Sequence, residues 1–124
     1  MVKVEAIVRP EEATEVMEEL AARGVHGITA YEVRGSGRQK GFVEHYRGLE
    51  IKANVLPKIK LEIVVKDYRV EEVVEGIKVA ARTGKVGDGM IFLSPVQDAI
   101  RIRTGERGQD VLADIEAGPM EHIE

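Results

Sequence analysis

The chain of 124 residues contains no cysteine and no tryptophan, and its aromatic side chains amount to two Phe and three Tyr. Without cysteine there is no disulfide framework, thiolate metal site, cysteine nucleophile or thiol redox switch. So few aromatics argue against an RNA-binding sheet, which stacks bases on paired aromatic side chains. No apolar run approaches the ~20 residues of a membrane span, so direct membrane insertion is not expected. Met1 leads directly into Val2-Lys3-Val4-Glu5 rather than into a charged and then apolar leader, so no secretory signal is readable and a cytoplasmic location is expected. Catalytic groupings are also missing. His26, His45 and His122 are scattered, none is paired at metal-ligand spacing, and no Ser or Thr is recognisably coupled to a base. The three histidines read as surface or packing residues, and the chain reads as no enzyme.

What is present suits one globular domain: 44% hydrophobic and 32% charged residues in a length typical of a single unit. The net charge of -4 hides an asymmetry. Residues 34–60 carry Arg34, Arg38, Lys40, Arg47, Lys52, Lys58 and Lys60 against Glu44 and Glu50, a local balance of +5, whereas the last twenty residues are acidic.

Residues 2–8 alternate as a strand, with Val2, Val4, Ala6 and Val8 on one face and Lys3, Glu5 and Ile7 on the other. Pro10-Glu11-Glu12 opens a helix, the proline where its missing N–H costs nothing and the carboxylates at the positive end of the dipole. Ala13, Val16, Met17, Leu20 and Ala21 follow at helical spacing, and Gly24 supplies the stop. On that helix Glu15, Glu18, Glu19 and Arg23 read as a solvated face. Residues 28–34 form a second strand. From Gly35 to Leu56 the periodicity disappears, leaving a long charged loop that ends at Pro57. Residues 59–65 alternate again, with Ile59, Leu61, Ile63 and Val65 inward. Asp67 is placed as the N-cap of a helix whose stripe is Val70, Val73, Val74, Ile77 and Ala81. A glycine-rich turn, a strand over 90–94 and a short last strand over 99–103 complete the pattern. A shift of 57 residues superimposes Val2-Lys3-Val4-Glu5 on Ile59-Lys60-Leu61-Glu62, so each half is a β-α-β unit. Two such units predict an α+β, ferredoxin-like βαββαβ domain, an antiparallel sheet with both helices on one face. Its other face, with Lys3, Glu5, Ile7, Lys60, Glu62, Val64 and Lys66, is mixed. A solvated surface, a subunit interface and a ligand wall all fit it.

Three stretches carry chemistry suited to anions. Gly35-Ser36-Gly37-Arg38-Gln39-Lys40-Gly41 lets backbone approach an anion beside two cations, although a flexible loop root explains it equally. Gly84-Lys85-Val86-Gly87-Asp88-Gly89 is glycine-rich but no Walker motif, and a tight hairpin is its simpler reading. In Arg101-Ile102-Arg103 strand alternation would place two guanidiniums on one face, suited to a polyphosphate or to salt bridges along an edge.

Together these pieces resemble the PII nitrogen-regulatory signal-transduction family from Val2 to about Gly108. The stretches that carry the resemblance are Tyr46-Arg47-Gly48, Leu56-Pro57-Lys58, Ala80-Ala81-Arg82-Thr83-Gly84 with Gly87-Asp88-Gly89, and Arg101-Ile102-Arg103-Thr104-Gly105. The resemblance implies a homotrimer of ferredoxin-like subunits that binds ATP or ADP between subunits and senses 2-oxoglutarate together with Mg-ATP. It places Ile7, Thr29, Gly35, Glu62 and Val64 around the adenosine end and puts Gly37, Lys40, Gly41 and Asp88 within the ligand-binding stretches. Gly87 and Gly89 would offer amides to the phosphates, with Arg38, Arg101 and Arg103 adding charge, the last two from the neighbouring subunit's side. Gln39 would ligate Mg, and Lys58 would pair with a carboxylate of 2-oxoglutarate. Residues 36–55 would be the mobile T-loop that regulates a protein target, either an ammonium transporter or a metabolic enzyme. The globular domain is expected over residues 1–112, with an acidic tail over 113–124.

Two departures from the family pattern follow. Met90 stands where the family usually has a phosphate-binding lysine, and it cannot donate a hydrogen bond. Ile51 and Leu49 stand where other members carry a nucleotidylated tyrosine or a phosphorylated serine, so regulation without covalent modification of the loop is expected. A competing class is a nucleic-acid-binding module on the same fold, opposed by the lack of paired aromatics. Another is a small-anion-binding module acting as a phosphatase, opposed by the lack of a nucleophile or a water-positioning partner.

Overall fold

A computed structural model describes residues 1–36, 43–46, 49–52 and 55–112. Strands β1 (Val2–Val8), β2 (Thr29–Gly35), β5 (Leu56–Val65) and β6 (Met90–Pro95) form one antiparallel sheet in the order β2-β5-β1-β6. β1 pairs with β5 from Val2↔Val65 to Val8↔Ile59, and with β6 from Val2↔Pro95 to Ile7↔Met90. Helices α1 (Ala13–Ala22) and α2 (Val70–Ala81) each follow a 3-10 turn. The fold is the ferredoxin-like α+β arrangement expected, and the 57-residue shift maps the start of α1 onto that of α2.

Period-two alternation selects the core face. Val4, Ala6 and Val8 of β1 and Leu61, Ile63 and Val65 of β5 are buried, and Val16 and Leu20 of α1 close over them with Val73 and Ile77 of α2. The helices approach closely at Gly76, where a methyl group would come within 3.0 Å of the Leu20 side chain. Gly24 ends α1 in the left-handed region, at φ 79°.

Three local expectations are corrected. Asp67 is not an N-cap: Lys66 occupies that place before the 3-10 turn and Arg69 before α2, with no side-chain cap bond at either. The Asp67 carboxylate instead pairs with the Met1 amino group at 2.9 Å, because the antiparallel sheet brings the start of β1 beside the end of β5. The stretch read as a loop from Gly35 to Leu56 contains a hairpin, β3 (Val43–Tyr46) paired with β4 (Leu49–Lys52), and β5 itself starts at Leu56. Two four-residue strands are too short to register as a period, and Pro57 is tolerated in β5 near its end, paired with Arg34 of edge strand β2. Finally, residues 99–103 are no strand. Ile100 makes an isolated bridge to Arg107, and the chain reverses with the Gly105 amide bonded to the Arg101 carbonyl at 2.7 Å. Gly105, at φ 77°, permits the reversal, and among the described residues no strand pairs with this segment to form a ladder.

Candidate functional site

Sheet register brings three pieces of chain together at one end of the face opposite the helices. Ile7 pairs with Lys60 and Met90, Gly35 pairs with Leu56, and the turn from Thr83 to Gly89 leads into β6. Between them lies a cleft of about 630 Å³. It gathers seven of the residues singled out in the sequence, Ile7, Gly35, Lys58, Gly87, Asp88, Gly89 and Met90, and adds Ser36, Lys85 and Phe92.

The glycine turn is built around Asp88. Its carboxylate accepts hydrogen bonds from the amides of Thr83 and Gly84, both at 2.8 Å, and from the Thr83 hydroxyl. That hydroxyl first, then the two amides and the Arg9 guanidinium, hold the Asp88 carboxyl down to about 2. The charge is thereby engaged within the turn. Gly87 and Gly89 have φ of 101° and 108°, and a methyl group on Gly89 would overlap the Ile7 carbonyl oxygen. Gly89 is therefore required by the close approach of β1 as well as by its dihedral angle.

Two cations grip consecutive carbonyls of this turn. Arg9 Nη2 donates to the Val86 oxygen at 2.7 Å, and Lys58 Nζ donates to the Gly87 oxygen at 2.8 Å. Arg9 Nε also lies 3.4 Å from Asp88 Oδ1. Burial, and after it the charge of Arg9, pushes the Lys58 amine below the ordinary lysine value, while Glu11 and Asp88 act in the opposite sense. Lys85, exposed, and Lys58 border the cleft together with the apolar side chains of Ile7, Met90 and Phe92, a lining that suits an anion joined to an apolar group. Met90, 61% exposed, adds surface to that wall but no hydrogen bond. Sequence reasoning gave no role to Arg9, and Lys85 entered it only as part of the glycine-rich stretch. The available signal for Arg9 was its place directly after a strand whose pairing with β6 sets it beside the glycine turn.

Other predicted residues lie elsewhere. Thr29 pairs with Glu62 farther along the same sheet face, and Val64 pairs with Lys3. The Glu62 carboxylate accepts from the Tyr31 hydroxyl at 3.4 Å and sits 3.9 Å from Lys3 Nζ, and Lys60 lies 4.7 Å over the Tyr31 ring. Arg101 is turned toward its own segment, Nη2 donating to the Val111 oxygen at 3.2 Å and Nε lying 3.6 Å from Glu106, and Arg103 is exposed on the turn. Because residues 99–103 are not a strand, alternation does not set the two guanidiniums on a common face. Gly37, Arg38, Gln39, Lys40 and Gly41 lie outside the described residues, as do Arg47 and the tail over 113–124. Among the described residues no group of three His, Cys, Asp or Glu side chains is arranged to hold a metal ion, and no helix is long and apolar enough to cross a membrane.

The family model described as nitrogen regulatory protein P-II matches residues 1–106. A protein named nitrogen regulatory protein P-II from Cereibacter sphaeroides is 54% identical over 112 residues, which is 90% of this chain and the whole of that protein. Proteins of the same name from Azospirillum brasilense and Microchaete diplosiphon are 50% and 53% identical over the same extent. With the glycine turn, the cleft and the ferredoxin-like sheet all lying inside the matched residues, the chain belongs to the nitrogen regulatory protein P-II family.

Proposed function

We propose that this P-II protein is a cytoplasmic, non-enzymatic signalling protein that binds ATP or ADP in clefts between the subunits of a homotrimer. It senses 2-oxoglutarate with Mg-ATP and regulates a protein target through residues 36–55. The observation that carries this reading is the distribution of candidate residues on the sheet. Gly35, Lys58, Gly87 and Gly89 belong to the cleft, whereas Thr29, Glu62 and Val64 do not line it. Gly35 is in register with Leu56, eight residues along β5 from Val64, which at ~3.3 Å per residue is roughly 26 Å. Ile7 of the same cleft pairs with Lys60, two residues or ~7 Å from Glu62, so the two groups adjoin on one continuous sheet face. In this reading two copies meet over that face, and a nucleotide between them is held by both groups and covers the exposed Phe92 and Met90.

In this reading the cleft's cations and the glycine turn take the phosphates, and Arg101 and Arg103 are supplied from across the subunit boundary. Gln39 ligates Mg through its side-chain oxygen, and Lys58 exchanges its Gly87 carbonyl for a carboxylate of 2-oxoglutarate. Equilibrium sedimentation at micromolar concentration is expected to return about three times 13.7 kDa. Titration calorimetry with ATP, ADP and AMP, each with and without 2-oxoglutarate and Mg, is expected to show 2-oxoglutarate binding only when Mg-ATP is present. A monomer that binds no nucleotide would overturn the proposal.

A further inference from the structure

We infer that Arg9 is a positioning residue for the anion site, acting by setting the orientation of the peptide units at Val86 and Gly87. The inference rests on the proposed nucleotide binding and deepens it. A trans peptide is planar, so its C=O and N–H point in opposite directions. Arg9 Nη2 holds the Val86 oxygen at 2.7 Å and thereby turns the Gly87 N–H away from itself. Lys58 holds the next oxygen, that of Gly87, at 2.8 Å, which sends the Asp88 N–H the other way, to the Lys85 carbonyl at 3.3 Å. The two amides are thus divided. Asp88 N–H closes the turn, and no backbone carbonyl among the described residues accepts from Gly87 N–H, whose residue lines the cleft.

Arg9 suits this task because its planar fork reaches two acceptors at once, Val86 O and Asp88 Oδ1. Its side chain is only 15% exposed, and its contact with Asp88 is partly buried while its bond to the Val86 oxygen lies at the surface. Asp88 connects the same guanidinium to the Thr83 and Gly84 amides, which makes Arg9 the link between β1 and both ends of the turn. Arg9 does not line the cleft and acts on a ligand through the backbone it holds.

The test compares the full-length protein with Arg9→Gln and Arg9→Lys. Hydrogen exchange of the peptide over 83–90 is measured without ligand, ADP affinity by calorimetry well below the unfolding temperature, and the unfolding temperature separately. Arg9→Gln is expected to exchange faster at 83–90 and to bind ADP about tenfold more weakly while folded, with Arg9→Lys recovering part of both. If Arg9→Gln unfolds at lower temperature but binds ADP as tightly as the wild type, Arg9 only stabilises the fold and the inference is overturned. Unchanged exchange at 83–90 overturns it as well. If the wild type binds no ADP while Arg9→Gln loosens the turn, the nucleotide reading fails and the orienting role of Arg9 stands.

Discussion

At the scale of single residues, Gly89 and Gly84 separate two reasons for a glycine. Both have positive φ, but a methyl group on Gly89 would overlap the Ile7 carbonyl, whereas among the described residues nothing beyond its chain neighbours lies within 4 Å of one on Gly84. Gly84→Ala is expected to carry the conformational penalty alone, about 1 kcal/mol, while Gly89→Ala adds overpacking against β1 and reaches roughly 2–4 kcal/mol. Urea unfolding midpoints of the two variants decide this, and equal losses would show that β1 does not constrain the turn. Met90 makes a contrasting case of a residue whose chemistry is missing. A shielded charge-assisted hydrogen bond contributes about 1.5–3 kcal/mol and a wet one much less. Since Met90 is 61% exposed, Met90→Lys is expected to tighten ATP by less than that shielded range and to leave AMP little changed. Equal tightening of both nucleotides in calorimetry would place residue 90 away from the distal phosphates.

At the scale of elements, the turn over 83–89 stands on the Asp88 carboxylate, so its stability has a direction in pH. The carboxyl titrates at about 2 when folded against 3.8 in an unperturbed chain, so the unfolded state takes up a proton first as the solution is acidified. The turn's contribution is complete above pH ~4 and is lost as pH falls toward about 2. Unfolding midpoints measured from pH 5 to 2 are expected to fall more steeply for the wild type than for Asp88→Asn, and parallel curves would remove Asp88 from this role. The elements most legible in the sequence are those whose side-chain period meets the core: β1, β5, α1 and α2 alternate or repeat because Val4, Leu61, Val16 and Val73 must be buried. Edge strands β2 and β6, which bury no residue, were also read over 28–34 and 90–94, but the hairpin in the long loop and the segment over 99–103 were not. The β3–β4 hairpin forms its own two-stranded sheet, and the segment over 99–103 reverses at Gly105, where a tight turn overrides a pattern that alternates as a strand would. The site divides in the same way. The glycines and Lys58 announce themselves by type and by the family's motifs, but Arg9 serves the turn across a sequence separation of 77 residues, which only the β1–β6 pairing reveals. Asp67 was misplaced for a similar reason, since its partner is the far end of β1.

At the scale of the whole molecule, the proposed output runs through residues 36–55, whose two ends are tied to the cleft. Gly35 and Ser36 line it on the side of β2, and Leu56 and Lys58 line it on the side of β5. A ligand that moves Lys58 off the Gly87 carbonyl therefore acts on the strand that leaves the loop, and one that contacts Gly35 acts on the strand that enters it. A ligand shifts such a segment only by its differential affinity for the segment's states, and a difference of ~1.4 kcal/mol between ligand conditions already changes partner affinity about tenfold. The loop carries Arg47 between β3 and β4, a cation able to enter a pore or an acidic groove, whereas Leu49 and Ile51 of β4 have no hydroxyl to modify. Capture of a target from lysate is thus expected to differ about tenfold or more between ADP and Mg-ATP with 2-oxoglutarate, and to be lost in Arg47→Ala under the permissive condition. Intact-mass analysis of the protein from its native source is expected to show the unmodified chain. A target captured equally under both conditions and by Arg47→Ala would remove the loop from signalling. A nucleotidyl or phosphoryl mass on the loop, whose hydroxyl residues in sequence are Ser36 and Tyr46, would replace control by ligand alone with control by modification.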